Sequence, residues 1–389
     1  MDGAGRPTRG GRLTLDDLAA SLGVSKTTVS NAFNRPDQLS AELRLRILEA
    51  ARVAGYAGPD PVARMLRTRR AGALGLILPE PLPFSLDDPT SAELIRGIAD
   101  ACEERRLGLM ILPAATRAGD TRSIADVAVD GFVAYSLPRG TAALDAVLGR
   151  GIGVVIVDQP RLAGVSLVAV DDRGGAREAA RHLVALGHRR IGIVSLPLAA
   201  DGYTGPAGEA RVAAATYDIS LERLLGYREA LAEAGVGPGG SPVFECAHSD
   251  EALGAEAARH LLELPDGVTA ILGMSDRLAI GAIAAARAVH LDVPRDLSIV
   301  GFDDLARAVH ARPSLTTVRQ QLRLKGYAAA RLLLDAPDRE PGDGRPRDDA
   351  AARRPGDETA EPAVDLPIEL VVRHSTAAPD PARSARMRA

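Results

Sequence analysis

Between residues 13 and 57 the apolar positions recur at helical spacing. Leu15, Leu18, Ala19 and Leu22 fall on one face, which predicts an amphipathic helix. Thr14-Leu15-Asp16-Asp17 at its start fits a capping box, in which threonine and carboxylate side chains satisfy the free N–H groups of the first turn. Gly23 ends this helix. Ser25 predicts the cap of a second helix running to about Phe33. Ser40 predicts a third, carrying Leu43, Ile47, Leu48 and Ala51 and stopped by Gly55. Residues 58–70, GPDPVARMLRTRR, place Asp60 as a cap and Pro61 at a first helical position. The helix that follows is only about two turns long and marginal in isolation. It reads as a linker that folds when something supports it.

From residue 73 the pattern changes. Short apolar runs at 73–78, 108–113, 131–136, 153–158, 166–171, 190–196, 270–274 and 297–303 alternate with helical stretches. The helical stretches are 92–104, 141–148, 174–186, 220–234, 250–264 and 276–289. Unbroken strands separated by helices predict parallel sheets covered on both faces. There are too many strands for one sheet, so the expectation is two doubly wound lobes side by side. Residues 197–217 are Ala/Gly-rich without clear period and read as an insertion. Residues 337–363 are rich in Pro, Asp and Arg, which predicts disorder. A strand resumes at 366–375, and the tail 376–389 is expected to be loose. Residues 1–12 are Gly/Arg-rich with no apolar period, which predicts a disordered tail.

Composition narrows the class. In 389 residues there are only two cysteines, Cys102 and Cys246, which excludes a disulfide scaffold and a cysteine-based zinc site. No apolar run reaches the roughly 18 residues a membrane span needs, and the basic N-terminus leads into no apolar h-region. The expectation is a cytoplasmic protein with no membrane partner. Charge is divided unevenly. Residues 1–70 hold 12 Lys/Arg against 7 Asp/Glu, net +5, and the remainder 35 against 44, net −9. A basic head on an acidic body fits a polyanion partner for the head; a solvated tail is the alternative on charge alone.

The segment TLDDLAASLGVSKTTVSNAFN (14–34) has the form of a helix-turn-helix. Small residues Ala19, Gly23 and Val24 stand where the helices cross, with Val29 beneath. Lys26, Thr27, Thr28, Ser30, Asn31 and Asn34 are left to face outward. Asn can pair with adenine and Lys with guanine in the major groove. A helical hairpin with a solvated polar face would share this spacing.

These residues resemble the headpiece of the lactose-repressor (LacI/GalR) family. The likeness is carried by Thr14, Asp17, Leu18, Ala19, Gly23, Val24, Ser25, Thr28, Val29, Ser30, Phe33, Asn34, Gly55-Tyr56 and Ala63-Arg64-Met65-Leu66. The segments VAVDDRGGAREAARHLVALGHRRIGIVS, SDRLAIGAIAAARAVHLDVPRDLSIVGFDD and PSLTTVRQQLRLKGYAAARLLL resemble the same family's core, itself akin to periplasmic sugar-binding proteins. The resemblance implies a helix-turn-helix domain at 13–57, a hinge helix and linker at 58–72, and a two-lobed effector-binding and dimerisation domain of periplasmic-binding-protein type at 73–375. It implies a transcriptional regulator, more specifically a repressor, that binds a pseudo-palindromic double-stranded operator as a homodimer. A sugar or nucleobase-like effector between the lobes would modulate it. Lys26, Thr27 and Asn31 take base-reading positions. Thr14, Ser25, Thr28, Ser30, Asn34 and Tyr56 take DNA-backbone positions. Val62, Ala63 and Leu66 take the minor-groove hinge positions, where an apolar wedge kinks the duplex; core packing is the alternative for Leu66. Many members carry Arg where this chain has Asn31, so the half-site is expected to differ.

For the effector the motif positions are Phe84, Asp158, Arg223, Ser275 and Asp303, at the carboxyl ends of strands where open α/β sheets bind ligands. A turn or cap role is the alternative for Asp303 and for Asp276. The histidines show no metal-ligand spacing, and no HExxH, Walker A, GxSxG or strand-linked GxGxxG occurs. Ser195 and Cys246 have no base in view. The expectation is therefore no catalysis, cofactor or metal. His188 reads as a helix-end residue near free carbonyls. A transporter-feeding solute-binding protein would explain two lobes but not the basic head. A regulator controlled by a protein partner is a further alternative.

Overall fold

The computed structural model describes residues 14–58, 61–114, 120–265, 267–336 and 363–380. The expected disorder at 1–12 and 337–362 and the Asp60 cap lie outside them, as do the side chains of Val62 and Ala63. The chain divides into two compact units, 1–71 and 72–389.

In the first unit, α1 (Leu15–Leu22), α2 (Lys26–Asn34) and α3 (Ala41–Val53) enclose a small core of Leu18, Ala19, Val29, Ala32, Ile47 and Ala51. Each helix starts where the capping residue demands. Thr14 and Asp17 form the reciprocal capping box, and Ser25 and Ser40 accept from the N–H of Thr28 and Leu43. Gly23 turns α1 into α2 at φ 64°, its N–H bonded to the carbonyls of Ala19 and Ala20. A side chain there would be strained. The helix α4 (Pro61–Thr68) follows.

The second unit has two sheets. The N-lobe sheet is wholly parallel, in the order β12-β5-β4-β3-β1-β2. Its strands are β1 (Ala73–Leu78), β2 (Gly108–Pro113), β3 (Gly131–Tyr135), β4 (Gly153–Val157), β5 (Ser166–Val170) and β12 (Ala363–Leu366). The C-lobe sheet runs β13-β11-β10-β9-β6-β8-β7. It contains β6 (Ile191–Ser195), β7 (Gly205–Pro206), β8 (Val243–Glu245), β9 (Ala270–Gly273), β10 (Ser298–Asp303), β11 (Thr316–Gln320) and β13 (Ile368–Val371), with β7 and β13 antiparallel to their neighbours. Alternate strand residues feed opposite faces. Leu74, Leu76 and Leu78 pack with α6 (Pro89–Arg105) and α15 (Leu322–Leu334), whereas Ile77 packs with α7 (Arg122–Asp126) and α8 (Ala142–Leu148). In the C-lobe, α9 (Asp172–Ala185) and α11 (Asp218–Glu233) cover one face, and α12 (Glu251–Glu263) and α13 (Asp276–Ala288) the other.

Several expectations need correction. The strand expected at 366–375 is two strands, β12 and β13, one in each sheet. Residues 197–217 are not a patternless insertion: they hold β7 and α10 (Glu209–Ala213), anchored by Arg211 on the fully buried Glu245 at 2.7 Å. The tail is not loose over its described part. Ala377 bonds Ser298, Thr376 bonds His182, and Ser375 is buried against Ile299 and Thr316. His188 does follow the end of α9, its N–H bonded to the Leu183 carbonyl, but its ring does not serve the helix's free carbonyls. It is buried between Thr269, Ser298 and the Ala377 carbonyl, and burial lowers its pKa. The helix α5 (Leu82–Asp87) was not anticipated.

Candidate functional site

On the first unit, α2 presents a polar edge. Ser25, Lys26, Thr27 and Asn34 are exposed, and Thr28, Ser30 and Asn31 are half-buried, while Val29 and Ala32 turn into the core. Thr14 is exposed at the head of α1. The polar residues are already ordered by one another. The Lys26 ammonium donates to Asp16 at 2.6 Å, Asn31 to Gln38 at 3.0 Å and Asn34 to the Ser30 carbonyl at 3.1 Å. Tyr56 packs edge-on against Phe33, ring centroids 5.9 Å apart, which ties the end of the three-helix unit to α2. Leu66 on α4 is 72% exposed. An exposed leucine on a two-turn helix leaves apolar area in water.

On the second unit, a cavity of about 140 Å³ opens where the two sheets present their strand ends. The chain enters it from the ends of strands in both sheets: Glu80 follows β1, Tyr135 ends β3, Asp158 follows β4, Ser275 follows β9, and Asp303 and Gln320 end β10 and β11. All five expected effector residues, Phe84, Asp158, Arg223, Ser275 and Asp303, line it. Their neighbours Asp276 and Lys325 lie beneath. Asp276 accepts from Thr317 at 2.5 Å and from the Leu305 N–H at 2.7 Å, a structural role. Burial and the nearby Asp303 push its pKa well above the carboxylate range.

Charge in the cavity is tightly arranged. Arg223 is buried with its guanidinium 3.6 Å above the Phe302 ring. It donates to Asp172 at 2.8 Å and to the Met274 carbonyl at 2.5 Å, and stands 3.9 Å from Asp303. Asp303 accepts from the Gln320 amide at 2.5 Å. Burial pushes its pKa up to about 7, against the opposing pull of Arg223. Asp158 is paired with the ammonium of Lys325, which is also bonded to Gln320. Burial raises the Asp158 pKa and Lys325 opposes the rise. Both Asp158 (φ 70°) and Asp303 (φ 123°) have positive-φ backbone, which costs of order 1–3 kcal/mol per residue.

The lobes also touch across the cavity mouth. The His248 ring, from the C-lobe, stands 3.1 Å from Glu80, and Arg277 stands 3.4 Å from Asp88. The Phe84 ring is 5.3 Å from the His248 ring and 5.5 Å from the Arg277 guanidinium. Glu80, Asp88, Gln159, Gln320, His248 and Lys325 were not singled out from sequence. Only Lys325 carried a usable signal: a lysine in an apolar helix face of a chain with just one other, Lys26. Among the described residues no cluster of His, Cys, Asp or Glu is arranged to hold a metal, and no helix is long and apolar enough to cross a membrane.

A three-helix headpiece followed by a two-lobed α/β core with a cavity at the strand ends defines a class of DNA-binding regulator built on a binding-protein core. Comparison with known proteins agrees. Residues 14–58 match the bacterial regulatory proteins of the lacI family, and residues 180–376 match a periplasmic binding protein-like domain. The chain is 43% identical to an HTH-type transcriptional regulator of Mycobacterium tuberculosis, over 85% of this chain and 93% of that one. It is 42% identical to the HTH-type transcriptional regulator IpsA of Corynebacterium glutamicum, over 84% of this chain and 92% of that one. Among solved structures it resembles a LacI-family regulator from Corynebacterium glutamicum, with 34% identity, a TM-score of 0.66, and coverage of 94% of this chain and 98% of that one. It also resembles the transcriptional regulator CelR in complex with cellobiose, with 29% identity, a TM-score of 0.62, and coverage of 94% and 100%. The chain belongs to the LacI family of helix-turn-helix transcriptional regulators.

Proposed function

We propose that the protein is a repressor that binds a pseudo-palindromic operator as a homodimer and is switched by a small polyhydroxylated molecule in the core cavity. Lys26, Thr27 and Asn31 read base edges. Thr14, Ser25, Thr28, Ser30, Asn34 and Tyr56 hold the DNA backbone, and Val62, Ala63 and Leu66 enter the central minor groove. Phe84, Asp158, Arg223, Ser275 and Asp303 hold the effector. The observation that carries the DNA side is the polar edge of α2, standing on its own small core, together with the exposed Leu66 of α4. The cavity with convergent polar groups at the strand ends supports the effector side, as does the cellobiose bound by CelR.

The reading is one of regulation without catalysis, in the cytoplasm where an operator would be met. Ser195 donates to the Leu196 carbonyl, and burial pushes the Cys246 thiol up to about 12, so neither side chain is an activated nucleophile. The test is a selection of the full-length protein on a pool of random duplexes at controlled salt. Enrichment of a palindrome with a flexible pyrimidine–purine step at its centre is expected. A folded protein that enriches no sequence with or without candidate effectors would overturn the reading.

A further inference from the structure

Lys325 is fully buried on α15, and its ammonium joins two residues that line the cavity, Asp158 of the N-lobe and Gln320 of the C-lobe. It does not line the cavity itself. An ammonium can only donate, so it fixes what both partners show to a ligand. One Asp158 oxygen is held by Lys325, and the other is left to accept. The Gln320 carbonyl faces Lys325, so its amide NH₂ is turned to Asp303, where it occupies one carboxyl oxygen. The second Asp303 oxygen is again left to accept.

The charged groups of the lining are matched in pairs. Glu80 is bonded to His248, Asp88 to Arg277 and Asp158 to Lys325, and Arg223, already bonded to Asp172 and Met274, stands 3.9 Å from Asp303. A phosphate entering here would find each of these cations already paired with a carboxyl group, and would bring its own charge to the short range and low dielectric where an unmatched charge costs most. A hydroxyl-rich neutral molecule would instead supply the donors that the two carboxyl groups lack.

We infer that Lys325 is a positioning residue that sets the cavity to take an uncharged, hydroxyl-donating ligand and to reject its phosphorylated form. This rests on the small-molecule reading of the cavity, and the experiment separates the two.

Full-length protein is titrated calorimetrically and by thermal shift with cellobiose, glucose and ribose, and with glucose 6-phosphate and ribose 5-phosphate. A neutral sugar that binds at least about tenfold tighter than the phosphorylated sugars is expected. Phosphorylated sugars binding as tightly or tighter would overturn this inference and leave the small-molecule reading standing. No binding by any of the five would count against the small-molecule reading, and this inference would fall with it.

With the sugar that binds tightest, Lys325→Met is expected to lose about tenfold or more in affinity, the usual scale for a hydrogen bond to a charged group. The variant Asp158→Asn/Lys325→Met removes both charges. Its thermal stability should return toward that of the parent, because a buried ion pair can be replaced by a neutral one at little cost. Its sugar affinity should stay low, since the carboxylate acceptor is gone. Affinity that recovers together with stability would show a merely structural lysine and overturn the positioning role.

Discussion

Lys26 and Asp16 are exposed and paired at 2.6 Å in the free protein. For Lys26 to reach a base edge or phosphate this pair must open. Exposed pairs are weak, so Asp16→Asn should tighten DNA binding modestly, by up to about fivefold at low salt, as read by fluorescence anisotropy. Weaker binding would mean that Asp16 positions Lys26 for DNA. Leu66 tests the hinge in the same assay. Leu66→Ala should cost the full-length protein at least about tenfold in operator affinity, or 1.4 kcal/mol, and an unchanged affinity would remove the minor-groove role. Asp303 gives a test by pH. Its folded pKa is raised, to about 7, from an unfolded value near 4. Between those values the folded state holds a proton that the unfolded chain has lost, so this residue's contribution to stability falls as pH rises toward 7. The melting temperature of Asp303→Asn relative to the parent should therefore climb from pH 4.5 to 7 and level off above. A difference that is flat over that range contradicts the assignment. At this scale the sequence was informative for side chains fixed by local rules, such as the Thr14 and Ser25 caps. Glu80 with His248, or Lys325 with Asp158, joins residues 168 and 167 positions apart, and no local pattern announces such pairs.

Helices and strands with strong period were legible to within a few residues, because burial on one face or both leaves a mark on composition. Three features were not. The two-residue β7 and five-residue α10 are too short to show a period. They are held by Arg211, which bonds Asp201 and Glu245, and burial would otherwise leave the Glu245 carboxylate uncompensated. Glu245→Ala should cost about 1–3 kcal/mol, because it leaves the buried Leu198 N–H without its acceptor and Arg211 with Asp201 alone, visible as a lower denaturant midpoint; a loss below about 0.5 kcal/mol would mean the segment is held by other contacts. The strand expected at 366–375 gave no sign that the chain there divides between two sheets, since AVDL and IELV have the same mixed character of apolar residues and one carboxylate. The α6–α15 crossing depends on residues that look unremarkable in sequence. A Cβ on Gly326 would lie 2.1 Å from the Leu94 carbonyl oxygen, and one on Gly97 1.8 Å from that of Arg323. Backbone cannot yield there as a side chain tip would. Gly326→Ala should cost about 1–3 kcal/mol and lower the melting temperature by several degrees. No change would mean the crossing relaxes freely.

For the whole molecule, the division of charge was visible at once and agrees with the functional claim: net +5 in residues 1–70 and net −9 in the rest. The architecture of the core follows from alternating strands and helices, and the cavity from where such sheets end their strands. The measurement that bears most directly on the account is the affinity of the full-length protein for its selected palindrome against a scrambled duplex of equal length, at several salt concentrations. A preference of at least about a thousandfold at physiological salt is expected, with affinity for both duplexes falling steeply as salt rises. Equal affinity for the two duplexes, or binding insensitive to salt, would contradict it.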